Sequence, residues 1–322
     1  MRRLVIAAAL AALAVASPAF AQKDFPNRPV TLTVGFAPGG GTDTTARIVA
    51  KKITEDLGVA VVVENRAGAG GEIAAQHIAG APPDGYTIHL SSVGPLAVAP
   101  AMNQKLPYDP KRDIAPITMG VIFPNVFVVP ASSPFKSVAD LVAAARKEPG
   151  QLTYGSSGVG GAAHLAGELL KQDAKIDMIH VPYKGGGPAM TDLLAARVNM
   201  YPAVPSTALP QIKAGKIRAI ATTGSKRTAM LPDVPTVAEQ GFPGFEAVNW
   251  YAFVAPAKTP TEILDFWNRE LVKVLSDPEV KAQLDKQGLE PAPGTREELA
   301  KYIDRETAKW GKVVREAHIT AN

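Results

Sequence analysis

Three glycine-rich turns carry most of the chemistry this chain can offer. Gly35-Phe36-Ala37-Pro38-Gly39-Gly40-Gly41-Thr42-Asp43 follows the β-branched apolar run from Val30 to Phe36. Tyr154-Gly155-Ser156-Ser157-Gly158-Val159-Gly160-Gly161 follows Gln151 to Tyr154, and Val181-Pro182-Tyr183-Lys184-Gly185-Gly186-Gly187-Pro188 follows Met178 to Val181. Each leads from a predicted strand into a predicted helix. Glycine lets backbone N–H groups close on a ligand, and a helix N-terminus offers unpaired donors with a partial positive charge. Together they form an anion site that needs no arginine. Asp43 reads either as a cap of the following helix or as a partner for a ligand amine. A fourth turn, Asn65-Arg66-Ala67-Gly68-Ala69-Gly70-Gly71, reads as structural.

The enzyme readings are thin. Gly158, Gly160 and Ala163 fit a loose dinucleotide fingerprint, but Asp177 precedes the next strand instead of following it. Ser133 and Lys136 match S-x-x-K without its companion motifs. Ser156 or Ser157 with His164 forms the one nucleophile–base candidate. His77, His89, His180 and His318 are scattered, and the chain has no cysteine, so no metal site, thiolate chemistry or cofactor is expected. The expectation is a binding protein without catalysis.

The elements that must hold the turns alternate. Strands at Val30–Phe36, Val59–Glu64 and Thr87–Ser91 interleave with helices at Thr44–Leu57 and Glu72–Ala79, which argues for parallel sheets flanked by helices. Phe127-Val128-Val129-Pro130-Ala131-Ser132-Ser133-Pro134 is echoed by Phe253-Val254-Ala255-Pro256-Ala257-Lys258-Thr259-Pro260. This pairing predicts two strands crossing in opposite directions between two lobes, leaving near residue 124 and returning near 251. Pro260–Leu275, Pro278–Gln287 and Arg296–Ala317 read as covering helices.

Residues 1–21 read as an export leader: Arg2 and Arg3, an apolar run from Leu4 to Ala16, and a small-residue cleavage site ending at Ala21. Its removal takes the formal net charge from +4 to +2. No Lys/Arg block with interleaved aromatics is present, so nucleic acid is not an expected partner.

The turns, with Glu64 to Gly71, Pro82-Pro83-Asp84-Gly85-Tyr86-Thr87 and Trp250-Tyr251-Ala252-Phe253-Val254-Ala255-Pro256-Ala257, resemble the TctC/Bug family of periplasmic solute-binding proteins. That family serves tripartite tricarboxylate transporters, and the match spans nearly the whole exported chain. The resemblance implies an α/β, two-lobe, type II periplasmic-binding-protein-like (Venus flytrap) fold. Each lobe is expected to be a mainly parallel sheet flanked by helices, with two crossover strands as hinge. Residues 22–123 and 251–322 would form lobe 1, and 124–250 an inserted lobe 2. The implied ligand is a small carboxylate (a di- or tricarboxylate, aromatic acid or amino acid). The implied ligand residues are Phe36, Ala37, Pro38, Gly39, Gly40, Thr42 and Asp43 from the first loop, and Ser91 and Ser92 at a strand end. Ser156, Ser157, Gly158, Tyr183 and Lys184 would come from the second lobe. A Gram-negative periplasm, a monomer and membrane permease subunits as partners are expected. The alternatives are a ligand sensor for a membrane signalling protein and an exported serine hydrolase. Two departures from the family pattern stand out: Ala195-Ala196 replaces a usual Gly-Gly pair, and Gly185-Gly186-Gly187 replaces larger side chains.

Overall fold

The computed structural model describes residues 25–102, 105–316 and 319–320, so the leader expected at 1–21 lies outside the described residues. The chain opens with β1 (Val30–Val34), helix α1 (Gly41–Leu57), β2 (Val61–Asn65), α2 (Glu72–Ala79) and β3 (Thr87–Ser92). β1 pairs in parallel with both β2 and β3. A short helical stretch, Gly94–Met102, leads on to β4 (Ile114–Pro124), which runs directly into β5 (Val126–Pro130).

The next segment contains α3 (Val138–Lys147), β6 (Thr153–Ser156), α4 (Ala162–Ala174), β7 (Ile179–Pro182), α5 (Gly186–Leu194), β8 (Tyr201–Ala203), α6 (Pro205–Lys213) and β9 (Ile217–Thr222). β5 lies between β8 and β9, antiparallel to both. β6 and β7 form a parallel pair, tied to the start of β8 through a bridge between Tyr154 and Met200. The chain returns in β10 (Val248–Pro256) and ends with α7 (Thr261–Ser276), α8 (Pro278–Lys286), β11 (Glu290–Pro291) and α9 (Arg296–Glu316).

The first sheet has the order β11-β4-β10-β3-β1-β2. β10 is antiparallel to β3 and β4, and β11 to β4. The two-lobe α/β architecture is thus present, but its sheets are mixed where mainly parallel ones were expected. The crossing is the cause: a strand leaving one lobe and a strand re-entering it lie side by side in opposite directions.

Each lobe has an apolar interior. Leu32, Val49, Ile53, Ile88 and Trp267 are fully or almost fully buried between the first sheet and helices α1 and α7. Burying one such side chain contributes about 1.5–3 kcal/mol. Val126, Val128, Leu193 and Tyr201 do the same in the second lobe. At the joint, Asn125 N–H donates to Thr223 Oγ1 (2.8 Å), and Thr223 Oγ1 donates to Ala247 O (2.7 Å). Behind it, Glu306 of α9 accepts from the indole N–H groups of both Trp250 (3.0 Å) and Trp310 (2.8 Å). The last helix is thereby fastened to the returning strand β10.

Candidate functional site

The first-lobe wall is the loop between β1 and α1. Its helix starts after Gly40, which has extended backbone and no side-chain cap. The loop is held from behind by Asp43, which is buried in the first turn. Asp43 accepts from Gly39 N–H (3.1 Å), Arg47 Nε (3.0 Å) and Asn65 Nδ2 (3.0 Å), while Asn65 Nδ2 also donates to Phe36 O (3.0 Å). Burial by itself would raise the Asp43 carboxyl. The hydrogen bonds from Arg47, Gly39 and Asn65, with the Arg47 charge, outweigh it and hold the group below its ordinary range. Asp43 makes no side-chain cap on its own helix end; it anchors the loop.

The second-lobe wall is built differently. Gly161 and Gly185 precede α4 and α5, again without side-chain caps. Beneath the 156–161 loop, the rings of Tyr154, His180 and His164 stack, with centroids 5.0 and 3.9 Å apart. Gly160 N–H donates to His164 Nδ1 (3.1 Å) and Gly158 N–H to Ser156 Oγ (3.1 Å), which lies 2.6 Å from His180 Nε2. Burial drives both imidazoles down, His164 to about 4 and His180 to about 3, so both are neutral near pH 7. Tyr154 hydroxyl and Lys171 both engage Glu168 at the far side of the stack.

The walls face each other across a narrow cleft. Phe36, Gly40, Gly41, Thr42 and Ser92 line it from the first lobe; Ser157, Gly161, Ala162, Gly186 and Val204 line it from the second. Asn249 and Tyr251 of β10 close its floor. Among the described residues, no charged side chain lines this cleft. Three glycine-preceded helix N-termini converge here instead, each with unpaired N–H groups. Elsewhere helices do receive side-chain caps, from Ser137 on α3 and Asp277 on α8.

The lobes touch through backbone. Ala37 N–H donates to Lys184 O (3.1 Å). A Cβ on Gly70 would lie 2.2 Å from Val159 O, and one on Gly158 would lie 2.9 Å from Gly70 backbone. Outside that contact a second recess is lined by Glu72, Gly158, Tyr183 and Lys184, among others. Burial pushes the Glu72 carboxyl up.

Of the residues expected from sequence, Phe36, Gly40, Thr42, Ser92 and Ser157 line the cleft. Ala37, Gly158 and Lys184 make or flank the contact between lobes. The Pro38 carbonyl lies against Gly187, and Gly39 turns the loop at φ +82°. Tyr183 is turned aside, its hydroxyl donating to Asp192 Oδ2 (2.8 Å). Ser156 supports the loop from beneath. Ser91 is buried with an unpaired hydroxyl, and strand alternation turns it to the sheet face opposite Ser92. The Ser157–His164 pairing does not form, because His164 Nδ1 is occupied by Gly160 N–H. Asn249, Tyr251 and Val204 were not anticipated as lining residues. Tyr251 alone had a signal, as part of the Trp250–Ala257 motif.

The family model described as tripartite tricarboxylate transporter family receptor (TctC) matches residues 45–319. The chain belongs to this family. Protein BugT of Bordetella pertussis is 38% identical over 319 residues, covering 97% of this chain and 96% of BugT. The solved structure of R. palustris Rpa4515 with adipate superposes with a TM-score of 0.89 at 38% identity, covering 92% of this chain and 99% of that one. MatC (Rpa3494) from Rhodopseudomonas palustris with bound malate gives 0.86 at 31% identity, covering 90% and 100%. The TctC receptors thus share this two-lobe binding-protein fold over nearly all their length.

Proposed function

We propose that this TctC receptor captures a small carboxylate between its lobes in the periplasm and presents it, closed, to the permease of a tripartite tricarboxylate-type transporter. The observation that carries this reading is the convergence of three uncapped helix N-termini on a cleft without charged side chains. Partial positive charges that face one another without a counter-ion favour an anion between them. Charge-assisted hydrogen bonds of about 1.5–3 kcal/mol each reach the roughly 8 kcal/mol of micromolar binding with a few contacts. The acids bound to Rpa4515 and MatC support the same class of ligand.

In this reading residues 22–123 and 251–322 move against 124–250, with Asn125 and Ala247 at the joint. The cleft works without catalysis, as a monomer, once the 1–21 leader has been removed on export. A calorimetric titration of the exported chain against mono-, di- and tricarboxylates, aromatic acids and amino acids tests it. One acid class should bind at micromolar or better affinity. A well-folded protein, shown by mass spectrometry to be empty, that binds none of them overturns the reading.

A further inference from the structure

One tyrosine hydroxyl lies in the floor of the cleft and a second lies just behind its wall. Tyr251, on the returning strand, lines the cleft, and its hydroxyl lies 2.6 Å from where a Cβ of Gly41 would stand. Tyr201, at the start of β8, is fully buried, and its hydroxyl has no hydrogen-bond partner. That hydroxyl lies 3.0 Å from where a Cβ of Gly186 would stand. Gly41 and Gly186 are the first residues of α1 and α5, and a Cβ on Gly40 would lie 3.8 Å from Gly186 N. The two helix N-termini therefore face each other across the cleft, each with a phenol against it. Ser92 Oγ, also buried and unpaired, lines the same space. A buried hydroxyl without a partner is costly to the fold, and two of them, on Tyr201 and Ser92, beside the Tyr251 hydroxyl point to a ligand that satisfies them.

We infer that Tyr201 and Tyr251 are specificity-determining residues that donate to a carboxylate held between the opposed N-termini of α1 and α5. This deepens the carboxylate reading above and rests on it. Burial keeps both phenols protonated and therefore able to donate. The rest of the cleft has a second polar station, the N-terminus of α4 at Gly161 and Ala162 beside Ser157. Apolar surface between the stations is limited to Phe36, Val204 and the Tyr251 ring. A compact acid with a carboxylate at each end satisfies both stations. A monoacid of the same length leaves one set of buried donors unpaired, a mismatch that sites of this kind reject strongly.

The test pairs each diacid from malonate to adipate with the monoacid of equal chain length, titrated calorimetrically into the wild-type chain, Tyr201→Phe and Tyr251→Phe. The wild type should prefer a diacid, and each variant should bind that diacid about tenfold more weakly with little change for its monoacid. Phenylalanine keeps the ring packing, including the Tyr251 edge contact with Phe123 at 5.0 Å, and thermal unfolding confirms that each variant is folded. Diacid binding unaffected by either substitution overturns the inference, as does equal loss for both acids or a wild type that binds monoacids equally well. Each of those outcomes leaves the carboxylate reading standing. Binding of no acid at all removes that reading, and this one with it.

Discussion

The two walls of the cleft present the same thing, backbone N–H groups at glycine-led helix ends, on opposite kinds of support. The first-lobe loop hangs on an ionised carboxylate, Asp43, braced by Arg47 and Asn65, with Arg47 largely in solvent. The second-lobe loop rests on a buried stack of neutral rings, with His164 and His180 accepting or sharing protons only as uncharged imidazoles. An ionic brace near water tolerates a wide pH range but is open to salt. A buried imidazole brace is indifferent to salt and fails in acid. The two walls thus rest on supports that fail under different conditions.

The largest effect should come from separating the walls where they meet. Gly70→Ala puts a methyl 2.2 Å from Val159 O at a residue with φ +59°. Closure would be blocked on both steric and backbone grounds, with affinity for the best acid falling roughly 100-fold. Calorimetry reads that loss, and small-angle scattering should show a ligand-saturated variant that stays open. Tight binding with normal compaction would mean that the lobes close without this contact.

Acid should distinguish the walls next. The histidines His164 and His180, with His89 at about 4, have folded values depressed below 6.5. The unfolded chain therefore takes up protons first as pH falls from about 6.5 toward 4. Stability is complete above that window and declines through it, by up to about 3 kcal/mol per ring. Asp43, lowered below 3.8, keeps its contribution across the same window and loses it only at lower pH. Thermal unfolding should show the midpoint dropping between pH 6.5 and 4, and less steeply in His164→Gln. An equal slope in that variant would remove His164 from the account.

The smallest effect concerns the ionic brace. Asp43→Asn preserves shape but discards the charge that Arg47 meets. Affinity at pH 7 should fall about fivefold, with little change in melting temperature. The difference from wild type should shrink in high salt, measured by the same titration at two ionic strengths. A salt-independent loss would show that Asp43 acts through shape alone.

What the sequence disclosed followed from locality. A glycine cluster between a β-branched run and a helical period states that a helix N-terminus is exposed there, and the glycine turns at 39–41, 158–161 and 185–187 mark the three N-termini that meet in the cleft. The roles of Asp43 and Ser91 were not wholly local. Asp43 is held by its neighbours Gly39 and Arg47 and also by Asn65, 22 positions away. Ser91 differs from Ser92 only through strand alternation, which becomes informative once the buried face is known. Asn249, in the floor, and Tyr201, behind the wall, carry no turn or motif and are placed by antiparallel pairing with β4 and β5. The mixed sheets were hidden for the same reason, since strand direction at a crossover is a property of the return path.

The clasp of α9 on the returning strand has an optical consequence. The chain has three tryptophans. Trp267 sits inside the first lobe with its indole on Gly85 O, whereas Trp250 and Trp310 share one carboxylate beside the joint. Two of the three native fluorophores therefore share one hydrogen-bond acceptor, Glu306, against the strand that returns to the first sheet. If the lobes move as proposed, the ultraviolet emission of this pair is a built-in, label-free indicator of that motion.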